Sequence, residues 1–466
     1  MINPVLNTDS YKTSHFLQYP PETQRVFAYA ESRGGAYERT LFFGLQAILK
    51  REFAHPVTRR DVDEAHDVLR EHGVPFNRHG WDMLLRRHEG RLPIEIRAVP
   101  EGSVVPTHQA LMTVVNTDPD FAWLPSYVET ALLRIWYPVT VATISWHVRQ
   151  RIRAALEATA DDPAAELPFK LHDFGARGVS SEASAALGGM AHLVSFKGTD
   201  TLSAIMAARR LYNEPMAGFS IPAAEHSTIT AWGRDGEEAA YANMIARFGV
   251  PGATFAVVSD SYDLYHAVDD LWGRHLRQQV IDSGATLVVR PDSGDPVTVV
   301  AKTMALLAGR FGTDLNGKGY RVLRNVRVIQ GDGVNPQSIG AIFDRIVADG
   351  FSASNIAFGM GGALLQRLDR DTLGFAYKAS AIEIAGAWRD IFKDPATDSA
   401  KRSKRGLLGL VGEGARWETV PVDGARFEPL DGRRNALRPV WRDGRLLVDE
   451  SLTQIRRRAA GFEAAA

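Results

Sequence analysis

"ATLVVRPDSGDP", residues 285–296, is a short apolar run followed by a polar loop and by a proline that suits a helix start. The same order of strand, loop and helix recurs from Phe169 onward. Seven apolar runs begin these units: "FKLHDF" (169–174), "HLVSF" (192–196), "GFSIP" (218–222), "TFAVVS" (254–259), "ATLVVR" (285–290), "VRVIQ" (326–330) and "NIAFG" (355–359). Apolar strands that alternate with helices predict a parallel sheet covered by helices. Seven units without a clear reversal favour a closed or nearly closed β/α barrel over a doubly wound sheet.

The regions on either side of this barrel have a different pattern. "TLFFGLQAILKREFA" (40–54) and "RRDVDEAHDVLREHG" (59–73) have the spacing of amphipathic helices, whereas "IEIRAVPEGSVVPTHQALMTVVNT" (94–117) alternates like antiparallel strands. After about residue 385 the chain is basic and turn-rich, with short strands. We therefore predict an α+β region at 1–168, a β/α-barrel-like catalytic domain at 169–385, and a C-terminal region at 386–466 that packs with the N-terminal part.

Composition narrows the classes of function. The 466 residues include 54 Lys and Arg against 55 Asp and Glu, so no overall charge favours nucleic acid or an anionic membrane as a partner. The chain has no cysteine, which excludes disulfides, thiolate metal sites and a cysteine nucleophile. It also lacks a signal-like start and any run of about 18 apolar residues. These features predict a soluble cytoplasmic protein.

The loops that follow the predicted strands carry most of the unusual residues, and in a barrel such loops converge on the active face. The loop residues are Asp173, Arg177, Lys197, Asp200, Glu225, His226, Asp260, Arg290, Asp292, Gly331, Asp332, Gly333, Gly361 and Gly362. The glycines of "GDG" (331–333) and "GMGG" (359–362) expose backbone N–H groups ahead of helices, which suits phosphate binding. The same glycines are also compatible with tight turns alone.

Charged side chains on the same face suggest a magnesium-bound polyphosphate. The Arg290 guanidinium can grip a phosphate with two hydrogen bonds, and Asp292 can hold Mg²⁺ directly or through water. Asp260 and Asp332 add carboxylates, whereas no close pair of histidines favours zinc. The alternative is an Arg–Asp pair that only neutralises itself.

Two further residues have both a structural and a functional interpretation. His226, in "PAAEHSTITAWG" (222–233), is either a helix-start residue beside capping hydroxyl groups or a nucleophile oriented by a carboxylate. Phe174 is either part of the core or a flat surface for a planar ring. Spacing does not decide between these alternatives.

Taken together, nine stretches resemble the nicotinamide phosphoribosyltransferase family. They are "TDSYKTSHFLQYPP" (8–21), "HDFGARGVSSE" (172–182), "FKGTDT" (196–201), "PAAEHSTITAWG" (222–233), "VVSDSYDLY" (257–265), "RPDSG" (290–294), "IQGDGV" (329–334), "NIAFGMGG" (355–362) and "FKDPATDSAKRSKRG" (392–406). The resemblance implies a type II phosphoribosyltransferase fold and a homodimer with active sites at the subunit interface. It also implies that nicotinamide and phosphoribosyl pyrophosphate give nicotinamide mononucleotide and pyrophosphate with Mg²⁺, in NAD salvage.

The resemblance also implies roles for individual residues. By this resemblance, Phe174 stacks on one face of the nicotinamide ring and Tyr11 of the partner subunit stacks on the other. Asp200 accepts a hydrogen bond from the carboxamide. The residues around ribose and phosphates are Arg177, Asp260, Arg290, Asp292, Gly331, Asp332, Gly361 and Gly362. The pyrophosphate-binding residues expected from the second subunit are Arg33, Arg370, Lys378, Lys393 and Lys401.

His226 matches the family histidine that ATP phosphorylates, which implies that ATP hydrolysis is coupled to synthesis. Glu225 and Asp260 are candidates for orienting its imidazole. Two positions depart from the family: Ala176 stands where animal members commonly have tyrosine, and Met360 replaces a small residue before two glycines.

Three alternative functions remain open from the sequence. A nicotinate phosphoribosyltransferase shares the fold and reaction type, but the Asp200 carboxylate would repel nicotinate. An unrelated barrel enzyme acting on a phosphorylated sugar would need neither ATP nor a subunit-bridging Tyr11. A non-catalytic binding protein would have no need of His226, Asp260 and Arg290.

Overall fold

The computed structural model describes residues 3–394, 397, 402–413 and 416–464. The chain divides into a terminal unit, residues 1–143, 208–214 and 368–466, and a central unit, residues 144–207 and 215–367. The sequence placed residues up to 385 in the barrel. Residues 375–384, however, pair with residues 23–32 of the terminal unit, so the central unit ends earlier than the boundary at 385.

The β-strands follow in chain order. They are β1 (Thr23–Ser32), β2 (Arg39–Leu41), β3 (Ile94–Ala98), β4 (Val104–Pro106), β5 (Ala110–Asn116), β6 (Leu171–Asp173), β7 (Gly198–Thr199), β8 (Thr254–Val258), β9 (Thr286–Arg290), β10 (Thr313–Leu315), β11 (Arg321–Leu323), β12 (Val326–Gln330), β13 (Ile356–Met360), β14 (Phe375–Ile384), β15 (Ala387–Asp390), β16 (Leu408–Glu413), β17 (Arg416–Pro421), β18 (Arg438–Arg442) and β19 (Arg445–Leu446).

The α-helices are interspersed with these strands. They are α1 (Leu45–Ile48), α2 (Arg59–His72), α3 (Arg78–His88), α4 (Leu124–Tyr127), α5 (Glu129–Leu133), α6 (Trp136–Thr159), α7 (Pro163–Glu166), α8 (Glu182–His192), α9 (Leu202–Leu211), α10 (His226–Thr230), α11 (Glu237–Phe248), α12 (Leu264–His266), α13 (Arg277–Ser283), α14 (Pro296–Phe311), α15 (Pro336–Ala348), α16 (Gly362–Leu365) and α17 (Leu452–Ala464). Shorter helical turns include 3₁₀ segments at Ser10–Leu17 and Ala176–Gly178 and π-helical segments at Leu49–Phe53 and Ala267–His275.

The terminal unit is built on an antiparallel sheet of seven strands, in the order β15-β14-β1-β5-β3-β18-β19. The N- and C-terminal parts of the chain therefore share one sheet. Thr58 and Asp61 form a capping box that starts α2, and Gly73 ends it, which confirms the helix predicted at 59–73. The helix predicted at 40–54 starts only at Leu45, since residues 39–41 lie in β2.

The central unit is built on a parallel sheet of six strands, in the order β7-β6-β13-β12-β9-β8. Two isolated parallel bridges, Gly198 with Phe219 and Ala223 with Ala256, place residues 219–223 between the edge strands β7 and β8. This arrangement is the barrel-like parallel core that the sequence predicted. "GFSIP" is thus an irregular connection, in which Pro222 has no N–H to donate to a ladder.

The predicted strand "HLVSF" is wrong. Residues 192–196 end α8 and continue in helical turns, with Leu193 N–H donating to Gly189 C=O and Phe196 N–H to His192 C=O. The strand of this unit is β7, two residues further on. Apolar residues at 193, 194 and 196 are buried by helical packing, which a short apolar run does not distinguish from a strand.

A small apolar cluster lies on one face of the parallel sheet. Its buried members are Ala256, Val288 and Ile329, and Phe174, Ile221 and Ala357 pack against them. Among the described helices, none is long and apolar enough to cross a lipid bilayer.

Candidate active site

The polar residues singled out from the sequence follow the carboxyl ends of the parallel strands. Asp173 ends β6, Arg290 ends β9, Gln330 ends β12 and Met360 ends β13. Because parallel strands end at the same edge, the loops behind these residues gather on one face of the central unit.

His226 begins α10 and contacts two other loops of the central unit. Its Nδ1 lies 3.2 Å from Ser261 Oγ. Its Nε2 lies 3.6 Å from Asp260 Oδ1 and 3.4 Å from Asp292 Oδ2. The His226 side chain is 45% exposed, so the ring remains accessible from solvent while one nitrogen faces two carboxylates. An N–H on Nε2 would donate toward these carboxylates and leave the Nδ1 lone pair for other chemistry.

Asp260 is nearly buried, with 4% of its side chain exposed. Its Oδ2 accepts hydrogen bonds from the Asp292 backbone N–H at 3.0 Å and from the Ser293 hydroxyl at 2.6 Å. No described residue donates a hydrogen bond to Asp260 Oδ1, which is also buried. The carboxylate therefore ties the loops after β8 and β9 together and keeps one oxygen for a further partner.

Arg290 and Asp292 form the pair expected from "RPDSG". Arg290 Nε and Nη2 donate to the two Asp292 carboxylate oxygens at 3.2 and 3.0 Å. The guanidinium carbon lies 6.0 Å from the centre of the Phe174 ring. A Cβ added at Gly331 would lie 3.3 Å from Asp292 and 3.4 Å from Arg290, so this glycine backs directly onto the pair.

Phe174 is held against strand β13. Its backbone N–H donates to Met360 C=O at 3.0 Å, and its ring packs on the apolar cluster of the sheet. A Cβ added at Gly359 would lie only 1.9 Å from the Phe174 ring. The sequence grouped Gly359 with the phosphate-loop glycines, but here it makes room for the aromatic ring.

Asp173 connects the Phe174 loop with the loop that carries Asp200. Asp173 is fully buried, and its Oδ1 accepts from Gly175 N–H at 2.7 Å. Burial raises the pKa of the Asp173 carboxyl above its usual value. The Asp173 C=O accepts from Asp200 N–H at 3.0 Å, and Asp200 Oδ1 accepts from the Ser220 hydroxyl at 2.6 Å. Asp173 therefore links the loop of Phe174, the candidate surface for a planar ring, to the loop of the exposed Asp200 carboxylate.

The glycine loops are shaped by backbone hydrogen bonds. Gln330 Nε2 donates to Asp332 C=O at 2.7 Å, which folds the "GDG" turn back on β12. Gly361 C=O accepts from Leu364 N–H at 3.0 Å at the start of α16. The side chains of Asp332 and Arg177 are exposed, so they point to solvent rather than into the packed core.

Glu225, a candidate for orienting the His226 imidazole, makes its hydrogen bonds within the first turn of α10. Its carboxylate accepts a hydrogen bond from the Ser227 hydroxyl, and its backbone N–H donates to Thr228 Oγ1 at 3.2 Å. Both contacts organise the first turn of α10, whereas the carboxylates near the His226 ring are those of Asp260 and Asp292.

The residues expected from a second subunit lie in the terminal unit. Tyr11 is 60% exposed and packs edge-to-face with His15. Burial lowers the pKa of Lys378, and the charges of Arg33 and Lys393, among others, lower it further, although Glu129 opposes the shift. Arg370 pairs with its neighbour Asp371 at 2.9 Å. Lys401 lies outside the described residues.

Sequence reasoning missed three serines that orient the site. Ser220, Ser261 and Ser293 bind Asp200, His226 and Asp260 respectively. Each lies in a strand-to-helix loop or next to a named residue, so position was the available signal, but serine is too common in loops to be selected on that basis. Among the described residues, no group of three or more His, Asp or Glu side chains is placed to hold a metal ion by itself.

Comparison with known proteins identifies the family of this chain. Residues 169–425 match the nicotinate phosphoribosyltransferase (NAPRTase) family, and residues 3–96 match the N-terminal domain of nicotinamide phosphoribosyltransferase. The nicotinamide phosphoribosyltransferase of Xanthomonas campestris pv. campestris (strain 8004) is 58% identical over 98% of both chains. That of Acinetobacter baylyi (strain ATCC 33305 / BD413 / ADP1) is 30% identical over 98% of this chain and 97% of the relative.

Solved structures share the fold at low sequence identity. Nicotinate-nucleotide pyrophosphorylase from Pyrococcus furiosus superposes with a TM-score of 0.63 at 15% identity, covering 100% of this chain and 96% of the other. Human nicotinic acid phosphoribosyltransferase gives a TM-score of 0.58 at 18% identity, covering 98% and 94%. The fold is that of the type II phosphoribosyltransferases. From these matches, the chain belongs to the nicotinate phosphoribosyltransferase family, whose members transfer a pentosyl group, and the resemblance to nicotinamide phosphoribosyltransferases is confirmed.

Proposed function

We propose that this enzyme joins nicotinamide to phosphoribosyl pyrophosphate, forming nicotinamide mononucleotide and pyrophosphate in NAD salvage. The full-length relative at 58% identity bears the name of this activity. The choice of nicotinamide over nicotinate rests on the carboxylate of Asp200. Ser220 donates to its Oδ1, and its Oδ2 can accept a hydrogen bond from the carboxamide NH₂. Nicotinate has no such donor, and its carboxylate would be repelled.

In this proposal the nicotinamide ring stacks on Phe174, and Tyr11 of the partner subunit covers its other face. The anchoring of Phe174 against Gly359 supports a fixed ring position. Offset stacking of aromatic rings adds about 0.5–1.5 kcal/mol to the area that is buried. The ring nitrogen is then held in position for attack, which is the main task of the protein in such a displacement.

At the ribose, the bond from C1 to the pyrophosphate oxygen breaks and a bond from C1 to the nicotinamide ring nitrogen forms. Negative charge grows on the leaving pyrophosphate, so cationic and N–H groups near it stabilise the transition state. Arg290, whose guanidinium lies near the Phe174 ring, supplies such a positive charge. We assign the surrounding ribose and phosphate contacts to Arg177, Gly331, Asp332, Gly361 and Gly362.

Magnesium fits the donor set of the site. Asp260 and Asp292 offer carboxylate oxygens, and Asp260 Oδ1 is buried without a hydrogen-bond donor among the described residues. Mg²⁺ commonly takes one or two protein carboxylates and completes its shell with water and phosphate oxygens. When bound, the ion would neutralise phosphate charge. We assign its direct or water-mediated contacts to Asp260 and Asp292.

His226 is the proposed acceptor of the γ-phosphoryl group of ATP. An imidazole nitrogen attacks γ-phosphorus, the bond to the β-phosphate oxygen breaks, and ADP leaves. Hydrolysis of the phosphohistidine later returns phosphate and links ATP consumption to synthesis. Because Nε2 faces Asp260 and Asp292, we assign the nucleophile to Nδ1, next to Ser261. Glu225 is assigned to the helix start beside this histidine rather than to the imidazole itself.

The pyrophosphate-binding cations and the oligomeric state belong to the same proposal. We assign Arg33, Arg370, Lys378, Lys393 and Lys401 to pyrophosphate, and we propose a cytoplasmic homodimer in which these residues complete the active site of the other subunit. Burial is the main cause of the lowered Lys378 pKa, and the nearby charges of Arg33, Lys12 and Lys393 lower it further, which supports a group of cations in the terminal unit.

The test measures mononucleotide formation from phosphoribosyl pyrophosphate with nicotinamide or nicotinate, each with and without ATP. The unaltered protein is compared with His226→Ala and Asp200→Asn. We expect turnover of nicotinamide that ATP accelerates only when His226 is present. Asp200→Asn should narrow the preference for nicotinamide by about tenfold, because one charge repulsion against nicotinate is removed.

The alternative, nicotinate phosphoribosyl transfer, is favoured by the family match to residues 169–425. Preferential turnover of nicotinate would establish it and overturn our assignment of Asp200. Equal stimulation by ATP in His226→Ala would remove the phosphohistidine from the proposal. Phosphorylated protein that releases only the Nε2 isomer on alkaline digestion would overturn the assignment of Nδ1.

A further inference from the structure

A buried carboxylate lies between two cations in the terminal unit. Only 3% of the Glu31 side chain is exposed, and its Oε1 accepts from Arg33 Nε at 2.9 Å. Its Oε2 accepts from the Lys404 ammonium group. A carboxylate with both oxygens bound by cations fixes the direction of both side chains.

This carboxylate also fixes a loop of the C-terminal region. The Lys404 backbone N–H donates to Tyr29 Oη at 2.9 Å, on the same strand as Glu31. The neighbouring Ser403 binds Lys393 twice, through its N–H to Lys393 C=O at 3.0 Å and through its hydroxyl to Lys393 N–H at 2.8 Å. The positions of Lys393 and Lys404 are therefore linked through backbone contacts to strand β1.

Arg33 differs from a closely similar pair in the same sheet. In strand β3, Arg97 Nε donates to Glu95 Oε1 at 2.8 Å across the same two-residue spacing, and Arg97 Nη1 donates to Phe427 C=O at 3.3 Å. Arg33 Nη2 is buried and has no acceptor at hydrogen-bond distance among the described residues, although the Tyr29 side chain interacts with the guanidinium. An unsatisfied buried guanidinium N–H favours binding of an oxygen ligand.

The charges around Arg33 favour an anion. The cations that interact with Lys378 are Arg33, Lys12 and Lys393, and Lys404 lies beside Glu31. The acidic side chains facing this group are Glu31, which is shared by two cations, and Glu129, which pairs with Lys12 at 2.7 Å. Two carboxylates therefore face five cations, Arg33, Lys12, Lys378, Lys393 and Lys404, so the group has an excess of positive charge. A diphosphate would supply the missing negative charge.

We propose that Glu31 is a positioning residue for diphosphate binding, and that Lys404 is its partner in that task. Glu31 holds Arg33 by Nε and so fixes the direction in which the guanidinium, on a side chain that is 20% exposed, donates to a diphosphate oxygen. Lys404 neutralises the carboxylate so that it does not repel the ligand. The assignment rests on the proposed function, which supplies the diphosphate as part of phosphoribosyl pyrophosphate and as the released product.

The test uses the full chain and inorganic pyrophosphate with Mg²⁺, titrated by calorimetry, together with the KM of each substrate. Glu31→Gln should raise the pyrophosphate Kd and the phosphoribosyl pyrophosphate KM about tenfold, because a charge-assisted contact is lost. The KM for nicotinamide should stay within about twofold of the unaltered value, since that ring is bound elsewhere in the proposal. Lys404→Met should weaken pyrophosphate binding in the same direction, and Lys404→Arg should restore it.

Glu95→Gln is the matched control, because it removes the same kind of pair from strand β3 of the same sheet. It should leave pyrophosphate affinity unchanged. A drop in melting temperature for Glu31→Gln with unchanged pyrophosphate Kd would overturn the proposal, as would an equal rise in both KM values. Pyrophosphate binding is measured without turnover. An unaltered protein that binds pyrophosphate but does not turn over nicotinamide would therefore refute the proposed function while leaving this assignment in place.

Discussion

At the scale of the residue, the buried Asp173 carboxylate lowers the stability of the fold but holds two loops of the site in place. Burial raises the pKa of its carboxyl, so the folded protein binds a proton there more readily than the unfolded chain. Such a group reduces the free energy of unfolding as pH rises above the unfolded pKa, and the loss is complete once pH exceeds the folded pKa. The ionised carboxylate is nevertheless useful, because it accepts from Gly175 N–H and lies beside Thr199.

We therefore expect Asp173→Asn to stabilise the fold at pH 8, by something on the order of 1 kcal/mol, and to give no gain near pH 4. The Thr199 hydroxyl donates a hydrogen bond to the Asp173 carboxylate, and an amide NH₂ in its place could not accept that bond. Because Asp173 links the loops of Phe174 and Asp200, the KM for nicotinamide should rise several-fold. Thermal unfolding at the two pH values and steady-state kinetics provide the readouts. Equal destabilisation at both pH values would contradict this account and identify Asp173 as purely structural.

At the scale of the element, strand β13 can hold the Phe174 ring because Gly359 has no side chain. A Cβ at Gly359 would lie 1.9 Å from the Phe174 ring, so Gly359→Ala must push the ring away from the strand. We expect the KM for nicotinamide to rise at least about tenfold and the fold to lose roughly 1–3 kcal/mol. The control is Gly309→Ala in α14, where nothing lies within 4 Å of an added Cβ. Unchanged nicotinamide kinetics in Gly359→Ala would show that the ring does not set substrate affinity.

The elements also show what the sequence could predict. The strands that became β8, β9, β12 and β13 were recognised because each is a continuous apolar run with a polar loop after it. "HLVSF" failed because burial alone does not separate a strand from a helix end. Residues 219–223 close the sheet through single bridges, a role that depends on neighbours distant in sequence and has no local pattern.

The sequence also predicted part of the candidate site. Asp260, Asp292 and Arg290 were identified from their place after strands, and the structure brings them within hydrogen-bond or ion-pair distance of one another or of His226. The actual contact of Glu225 was not predictable, because adjacency to His226 in sequence does not fix which way a helix-start carboxylate turns. Glu31 was missed because its two cationic partners are Arg33 nearby and Lys404 in a remote segment.

At the scale of the whole molecule, the proposed chemistry is divided between two units. The central unit contains His226, Asp260 and Arg290, whereas the terminal unit contains Tyr11 and the cations assigned to pyrophosphate. If each active site of a homodimer draws on both chains, two different defects can compensate each other. One defect has to lie in the central unit and the other in the terminal unit, so that a mixed dimer keeps one intact site.

We therefore expect Arg290→Ala and Arg33→Ala each to be almost inactive alone and to regain activity when the two proteins are mixed under conditions that exchange subunits. Random pairing makes half of the dimers mixed, and one of the two sites in each is intact, so activity should recover to about one quarter of the unaltered value. Mixing Arg290→Ala with Asp260→Asn is the control and should restore nothing, because both changes fall in the same unit. Recovery absent from the first mixture, despite demonstrated subunit exchange, would mean that each site is built from a single chain and would remove Tyr11 and Arg33 from the shared interface.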